Sequence, residues 1–264
     1  MAEILPGAGG YFFEGNETGC LLLHGFTGTP QNVRPLADHL QRRGLTVSVP
    51  RIAGHGTTVE DLDATGPDDW LGTAERALAE LRAKCSGIVV GGISLGGTYA
   101  LELARSHSDL LGVVVMAAPI LDIPALAELV RDPNRPKAIT APWATVGALT
   151  NDIASGGITY MEMPLGALER GLDLVRNVRE GLAEVTCPAL LIYGDDDQIV
   201  DKGNGPYVLE HLGSSDKRLV ALDDSAHEVT LDFGKERIMV EVYDFVRRLA
   251  AAREASAVAA ESGG

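Results

Sequence analysis

The chain is short of basic side chains: 22 Lys and Arg stand against 37 Asp and Glu in 264 residues, a formal charge of −15. No local run of Lys or Arg compensates, so phosphate backbones are repelled and nucleic acid is excluded as a partner. Strongly anionic lipid surfaces are disfavoured on the same ground. Cysteine is scarce too. Cys20, Cys85 and Cys187 are too few and too widely spaced for a disulfide framework or a CxxC metal site, and read as small buried hydrophobes. No apolar stretch approaches the roughly 18 residues that span a bilayer, so stable membrane insertion is not expected. Residues 1–10 hold neither the basic nor the apolar region of a secretory leader, and a soluble cytoplasmic protein is the expectation.

What the chain does have is enough apolar material for a core, with 45% hydrophobic and 22% charged residues. Short apolar runs alternate with amphipathic segments. Strands are expected at Thr18–His24, Thr46–Val49, Gly87–Gly91, Gly112–Ala117, Ala189–Tyr193 and Arg218–Leu222. Several are continuously apolar, as strands covered on both faces are. Helices are expected over Gln31–Arg43, Pro67–Ala83, after Ser94, after Pro206 and over Lys235–Arg253. This alternation predicts an α/β fold built on a mostly parallel, doubly wound sheet. One connection breaks the rhythm: about 70 residues separate Ala118 from Ala189, far beyond an ordinary strand–helix–strand link. Punctuated by Pro142, Gly156, Gly157 and Pro164, they read as an inserted lid. The expected organisation is a core of residues 1–118 and 187–253, a lid of 119–186, and a disordered tail of 254–264.

Gly92-Ile93-Ser94-Leu95-Gly96 is a G-x-S-x-G string between an apolar run and a helical stretch. That setting is what a nucleophile elbow requires: a tight turn that lifts the serine hydroxyl to a helix N-terminus. A serine needs a base to remove its proton. On such an elbow the acid and base follow the serine in the chain, leaving His107, His211 and His227. The first two sit near helix C-termini, where the helix dipole explains them. His227 lies in a loop after the last expected strand, in position to reach the serine. The acid belongs after the strand Ala189–Tyr193, where Asp195, Asp196 and Asp197 are adjacent and only one can meet the imidazole. Three consecutive side chains project in different directions, which argues against a metal site. The loop after the first strand aims the Phe26 N–H at the serine, and the Leu95 N–H gives a second donor for an oxyanion. His24 precedes the serine and reads as a loop anchor.

HGFTGTP at 24–30, PRIAGHG at 50–56, GISLGG at 92–97, the G-x-x-D of Gly194–Asp197 and SAHEVTLD at 225–232 together resemble the α/β-hydrolase superfamily. More narrowly, the chain is similar to small bacterial carboxylesterases and monoacylglycerol lipases from about Thr18 to Ala250. The resemblance implies the α/β-hydrolase fold with Ser94 as nucleophile, Asp197 as acid, His227 as base, and Phe26 and Leu95 as oxyanion donors. It selects Asp197 because the family's acid stands last in G-x-x-D. Two departures stand out. Val200 is followed by Asp201 where the family often has Pro, and Met161, Glu162 and Met163 offer no single match to the lid glutamate of the bacterial monoacylglycerol lipases.

The implied activity is a cofactor-independent serine esterase with a small-molecule acyl ester as substrate and no metal. A thioesterase, a C–C bond hydrolase, perhydrolysis and a hydrolase-fold ligand receptor are alternatives on the same residues. Serine rather than Asp at position 94 argues against a dehalogenase, and the acidic surface against polyanionic thioesters. Ile158, Met161, Met163, Leu165, Leu168, Leu172, Leu174 and Trp143 make the insertion apolar. Such residues either pack as the lid's own core or line a site for short- to medium-length groups, with Ile120, Met161, Met163 and Leu168 as the candidate contacts.

Overall fold

Both faces of the central strands are apolar, and the alternation along each strand divides the core in two. The computed structural model describes residues 2–141, 150–152 and 157–262. Its sheet contains β1 (Tyr11–Phe13), β2 (Thr18–Leu23), β3 (Thr46–Val49), β4 (Gly87–Ile93), β5 (Gly112–Met116), β8 (Ala189–Gly194) and β9 (Lys217–Leu222). The order is β1-β3-β2-β4-β5-β8-β9, parallel except for β1, which pairs antiparallel with β3. The six expected strands all form. The edge strand β1 was not foreseen.

Along β2, Leu21 and Leu23 face one side while Cys20 and Leu22 face the other; in β5, Val113 and Val115 oppose Val114. The Cys20 face packs against α1 (Arg34–Arg42) and α8 (Lys235–Ser262). Ile238, Val242, Phe245, Val246 and Leu249 form the buried stripe of α8, at helical spacing. The opposite face packs against α3 (Pro67–Arg82) and α4 (Leu95–Ser106). The three cysteines are free and buried, as small hydrophobes are. The tail expected to be disordered is instead helical through Ser262. Residues 254–259 are exposed there, but Ala is the strongest helix former and extending an existing helix needs no new nucleus.

Residues 119–186 contribute α5 (Pro124–Arg131), β6 (Ala138–Thr140), β7 (Glu162–Pro164) and α6 (Leu165–Glu180). Strands β6 and β7 form a separate antiparallel pair. Helix α6 is tied to the loop around α2 (Val59–Asp63). The Arg170 guanidinium donates to the carbonyls of Asp63 and Thr65, and the Ala167 N–H to the Asp63 carboxylate. Pro142, Trp143 and Gly156 lie outside the described residues.

The chain crosses from β3 to β4 past β2, so the strand order reverses between β2 and β4. A crevice therefore opens at their C-terminal ends, the usual ligand position in open α/β sheets. The loops after β2, β4, β8 and β9 all leave that edge. Below it, fully buried Trp70 packs its ring against Phe26, His55 and Tyr99, with centroids 6.2–6.4 Å apart. Its indole N–H donates to Thr65 Oγ1 at 2.9 Å. Trp70→Ala is expected to cost about 3–5 kcal/mol. Thermal unfolding followed by circular dichroism should register this as a Tm lower by roughly 10 °C; a shift under about 2 °C would contradict the packing described.

Candidate active site

The turn from β4 into α4 begins with a backbone constraint. A Cβ on Gly92 would overlap the Gly96 carbonyl, and one on Gly96 would overlap the carbonyl of Leu23 in β2. Only glycine lets these segments approach so closely. Between them Ser94 adopts φ 54° and ψ −130°, a strained conformation for a residue with a side chain. The strain is held by the Ser94 N–H donating to the Met116 carbonyl at 2.8 Å, and by the Gly97 N–H donating to the Ser94 carbonyl at 2.8 Å.

Three side chains from three loops then meet. His227 Nε2 lies 2.9 Å from Ser94 Oγ, and His227 Nδ1 lies 2.8 Å from Asp197 Oδ2. The carboxylate can only accept, so Nδ1 carries the proton and Nε2 is left to accept from the serine hydroxyl. Asp197 Oδ1 accepts from the N–H groups of Ile199 and Val200, each at 2.8 Å. Asp195 and Asp196 are exposed, and their N–H groups donate to the Leu222 and Ser225 carbonyls, stitching the Asp197 loop to the His227 loop. The array can move a proton from the Ser94 hydroxyl to His227 while the carboxylate stabilises the imidazolium.

Burial is the largest influence on His227 and pulls its pKa down. The charge of Asp197, the hydrogen bond to it and the charge of Glu228 outweigh that, and the net shift is upward. The other buried histidines go the opposite way. His24 donates Nδ1–H to the Gly25 carbonyl and accepts the Ile52 N–H, and burial holds it well below the usual histidine range. Burial brings His55 down to about 4. His24 thus stands as a neutral loop anchor. His107 pairs with Glu75, and His211 donates to the Tyr207 carbonyl while stacking on its ring.

Phe26 and Leu95 line the cavity with Ser94, and among the described residues neither N–H has an acceptor. Leu95 opens α4, so its amide is one of those left free at a helix N-terminus, where the dipole favours negative charge. The Phe26 loop is braced by the Tyr160 N–H, which donates to the Thr27 carbonyl at 3.0 Å. The Tyr160 hydroxyl in turn bridges the Thr57 N–H and the Gly54 carbonyl.

The cavity wall includes Ile123, Leu126, Met163, Leu168, Leu172 and Val175. Two of the four candidate contacts, Met163 and Leu168, therefore lie on it. The other two do not. Met161 is 55% exposed: it stands just before β7, whereas Met163 lies within the strand and is fully buried. Ile120 is buried in the main core, its N–H given to Asn204 Oδ1. Among the described residues no cluster of His, Cys, Asp or Glu is arranged to hold a metal, and no helix is long and apolar enough to cross a membrane.

Sequence reasoning overlooked two acids beside His227. Fully buried Asp232 accepts four N–H groups: Ala226 at 2.7 Å, Phe233 at 2.8 Å, and Asn151 and Asp152 at 3.1 Å each. It thereby ties the His227 loop to residues 151–152 of the insertion. Glu228 is buried and lines the cavity. Both lie in the SAHEVTLD stretch, where an acid within an apolar run signals a carboxylate with work to do.

Fold and site together define a serine hydrolase of the α/β-hydrolase fold. The model of the serine aminopeptidase S33 family matches residues 16–233, and the chain belongs to that family. It is 34% identical over 243 residues to the thermostable monoacylglycerol lipase of Bacillus sp. (strain H-257), covering 92% of this chain and 95% of that one. It is 28% identical over 244 residues to the carboxylesterase of Bacillus subtilis (strain 168), covering 90% and 96%. A solved structure from the metagenome-derived lipolytic enzymes LipS and LipT superposes with a TM-score of 0.89 at 31% identity, covering 93% of this chain and 100% of that one.

In an NMR titration of the imidazoles, His227 is expected to titrate above 6.5 and His55 near 4. Asp197→Asn should bring His227 down, because burial then acts with less opposition. A wild-type His227 value below 6.5 would contradict the balance described.

Proposed function

We propose that this enzyme hydrolyses carboxylic esters through an acyl-enzyme formed on Ser94. One observation carries the reading: His227 stands within hydrogen-bond reach of both the Ser94 hydroxyl and the Asp197 carboxylate. His227 takes the serine proton as Oγ attacks the ester carbonyl, and Asp197 orients the imidazole and stabilises its charge. The Phe26 and Leu95 amides hold the developing oxyanion. His227 then returns the proton to the departing alcohol, and water activated by the same imidazole releases the acid.

Residues 119–186 act as the lid over a hydrolase core of 1–118 and 187–253. The apolar wall formed by Leu126, Met163, Leu168 and Leu172 suits short- to medium-chain acyl groups, including those of monoacylglycerols. The names of the two Bacillus relatives are in keeping with this substrate class.

A fluorophosphonate should label the protein once, and Ser94→Ala should abolish both the label and ester turnover. Asp197→Asn should lower kcat by about 10³–10⁴-fold. Retained labelling of the Ser94→Ala protein would place the nucleophile elsewhere. Across nitrophenyl esters from acetyl to palmitoyl, kcat/KM is expected to peak at short to medium chains; a flat profile, or one confined to acetyl, would rule out the acyl site.

A further inference from the structure

The cavity above Ser94 has two unlike sides. The wall supplied by α5, β7 and α6 is apolar, whereas the lining at His227 continues into the acidic residue Glu228. Glu228 is only 8% exposed, and its Oε2 makes no hydrogen bond among the described residues. Leaving a buried carboxyl oxygen without a partner is unfavourable. The Ser94–His227–Asp197 array does not use this oxygen. Both His227 nitrogens are engaged by Ser94 and Asp197, and Asp197 is filled by His227 and two backbone amides. The Glu228 side chain also takes a hydrogen bond from the Asn32 side chain, which is not part of the cavity lining.

Position tells which half of a substrate would meet Glu228. His227 must give its proton to the departing alcohol, so the alcohol half lies on the His227 side, and the acyl chain lies against the apolar wall. We propose that Glu228 takes a hydrogen bond from a hydroxyl on the alcohol half of the ester, making the enzyme selective for esters of hydroxyl-bearing alcohols. This rests on the ester-hydrolase reading of Ser94 and His227. Burial, the largest influence, pushes the Glu228 carboxyl up from its ordinary value. The His227 charge and the Asn32 hydrogen bond pull it partly back, and the Asp197 charge adds to the rise. A carboxyl that keeps its proton longer suits a neutral hydroxyl, which both donates and accepts, better than a cation.

The test compares 2-hydroxyethyl butyrate with propyl butyrate, near-isosteric esters that share one acyl group. Wild-type kcat/KM should favour the hydroxyethyl ester by about tenfold, the factor that one hydrogen bond of ordinary strength supplies. Glu228→Leu should collapse that ratio towards one, and Glu228→Gln, which can still donate and accept, should keep most of it. Thermal melts check that the variants fold. If Glu228→Leu does not, the wild-type substrate pair and Glu228→Gln decide.

An absent wild-type preference, or equal loss of both esters in Glu228→Leu, overturns the proposal. So does butyrylcholine as the best of the three substrates, which would mark an ionised, cation-binding carboxylate. Failure of wild type on nitrophenyl butyrate as well is a separate result: it overturns the ester-hydrolase reading and takes this proposal with it.

Discussion

The site depends on one backbone contact: the first turn of α4 lying against the end of β2, so close that Gly96 has no room for a side chain. That approach sets the angle at which α4 leaves the sheet and drives Ser94 into its positive φ. The serine hydroxyl then stands clear of the strand ends, beside the free amide of Leu95. Every other part of the site is measured from that turn. The β2 loop brings Phe26 beside the serine, and the β8 and β9 loops reach it from the far side of β5.

Charge at this edge is managed almost wholly by backbone amides. Asp197 and Asp232 are both enclosed, and both are satisfied by N–H groups of the chain that surrounds them. A carboxylate held this way needs no lysine or arginine, which fits a chain so poor in basic residues. It also needs little movement when His227 gains a proton, since the dipoles facing that charge are already set. Glu228 is the exception. It lines the cavity, and one of its carboxyl oxygens has no hydrogen-bond partner among the described residues.

Much of this was legible in the sequence because the constraints are local. Continuous apolar runs marked the strands covered on both faces, and glycines two residues either side of Ser94 marked the elbow. The choice of Asp197 over its two neighbours came from the resemblance; the fold supplies the reason, since the N–H groups of Asp195 and Asp196 are spent on the β9 side and only Asp197 turns to His227. What stayed hidden depended on tertiary context. Strand β7 begins only at Glu162, and nothing in the sequence marks that Met161 falls outside it while Met163 falls within. Ile120 is adjacent to the site in sequence but is drawn into the core by the bond between its amide and Asn204. The tail has nothing to bury, and its helicity comes from the helix that precedes it.

Helix α6 belongs to two structures at once. Leu168 and Leu172 face the cavity and pack in the small cluster with Met163, whereas Ala167, Leu174, Val175 and Val178 are part of the main core above the sheet. Enlarging the cavity from α6 therefore also loosens the layer that supports α4. The residues on α5 and β7 carry no such double duty. Drift in substrate size among descendants of this chain has an open route through Leu126 and Met163, and a guarded one through the helix that roofs the site.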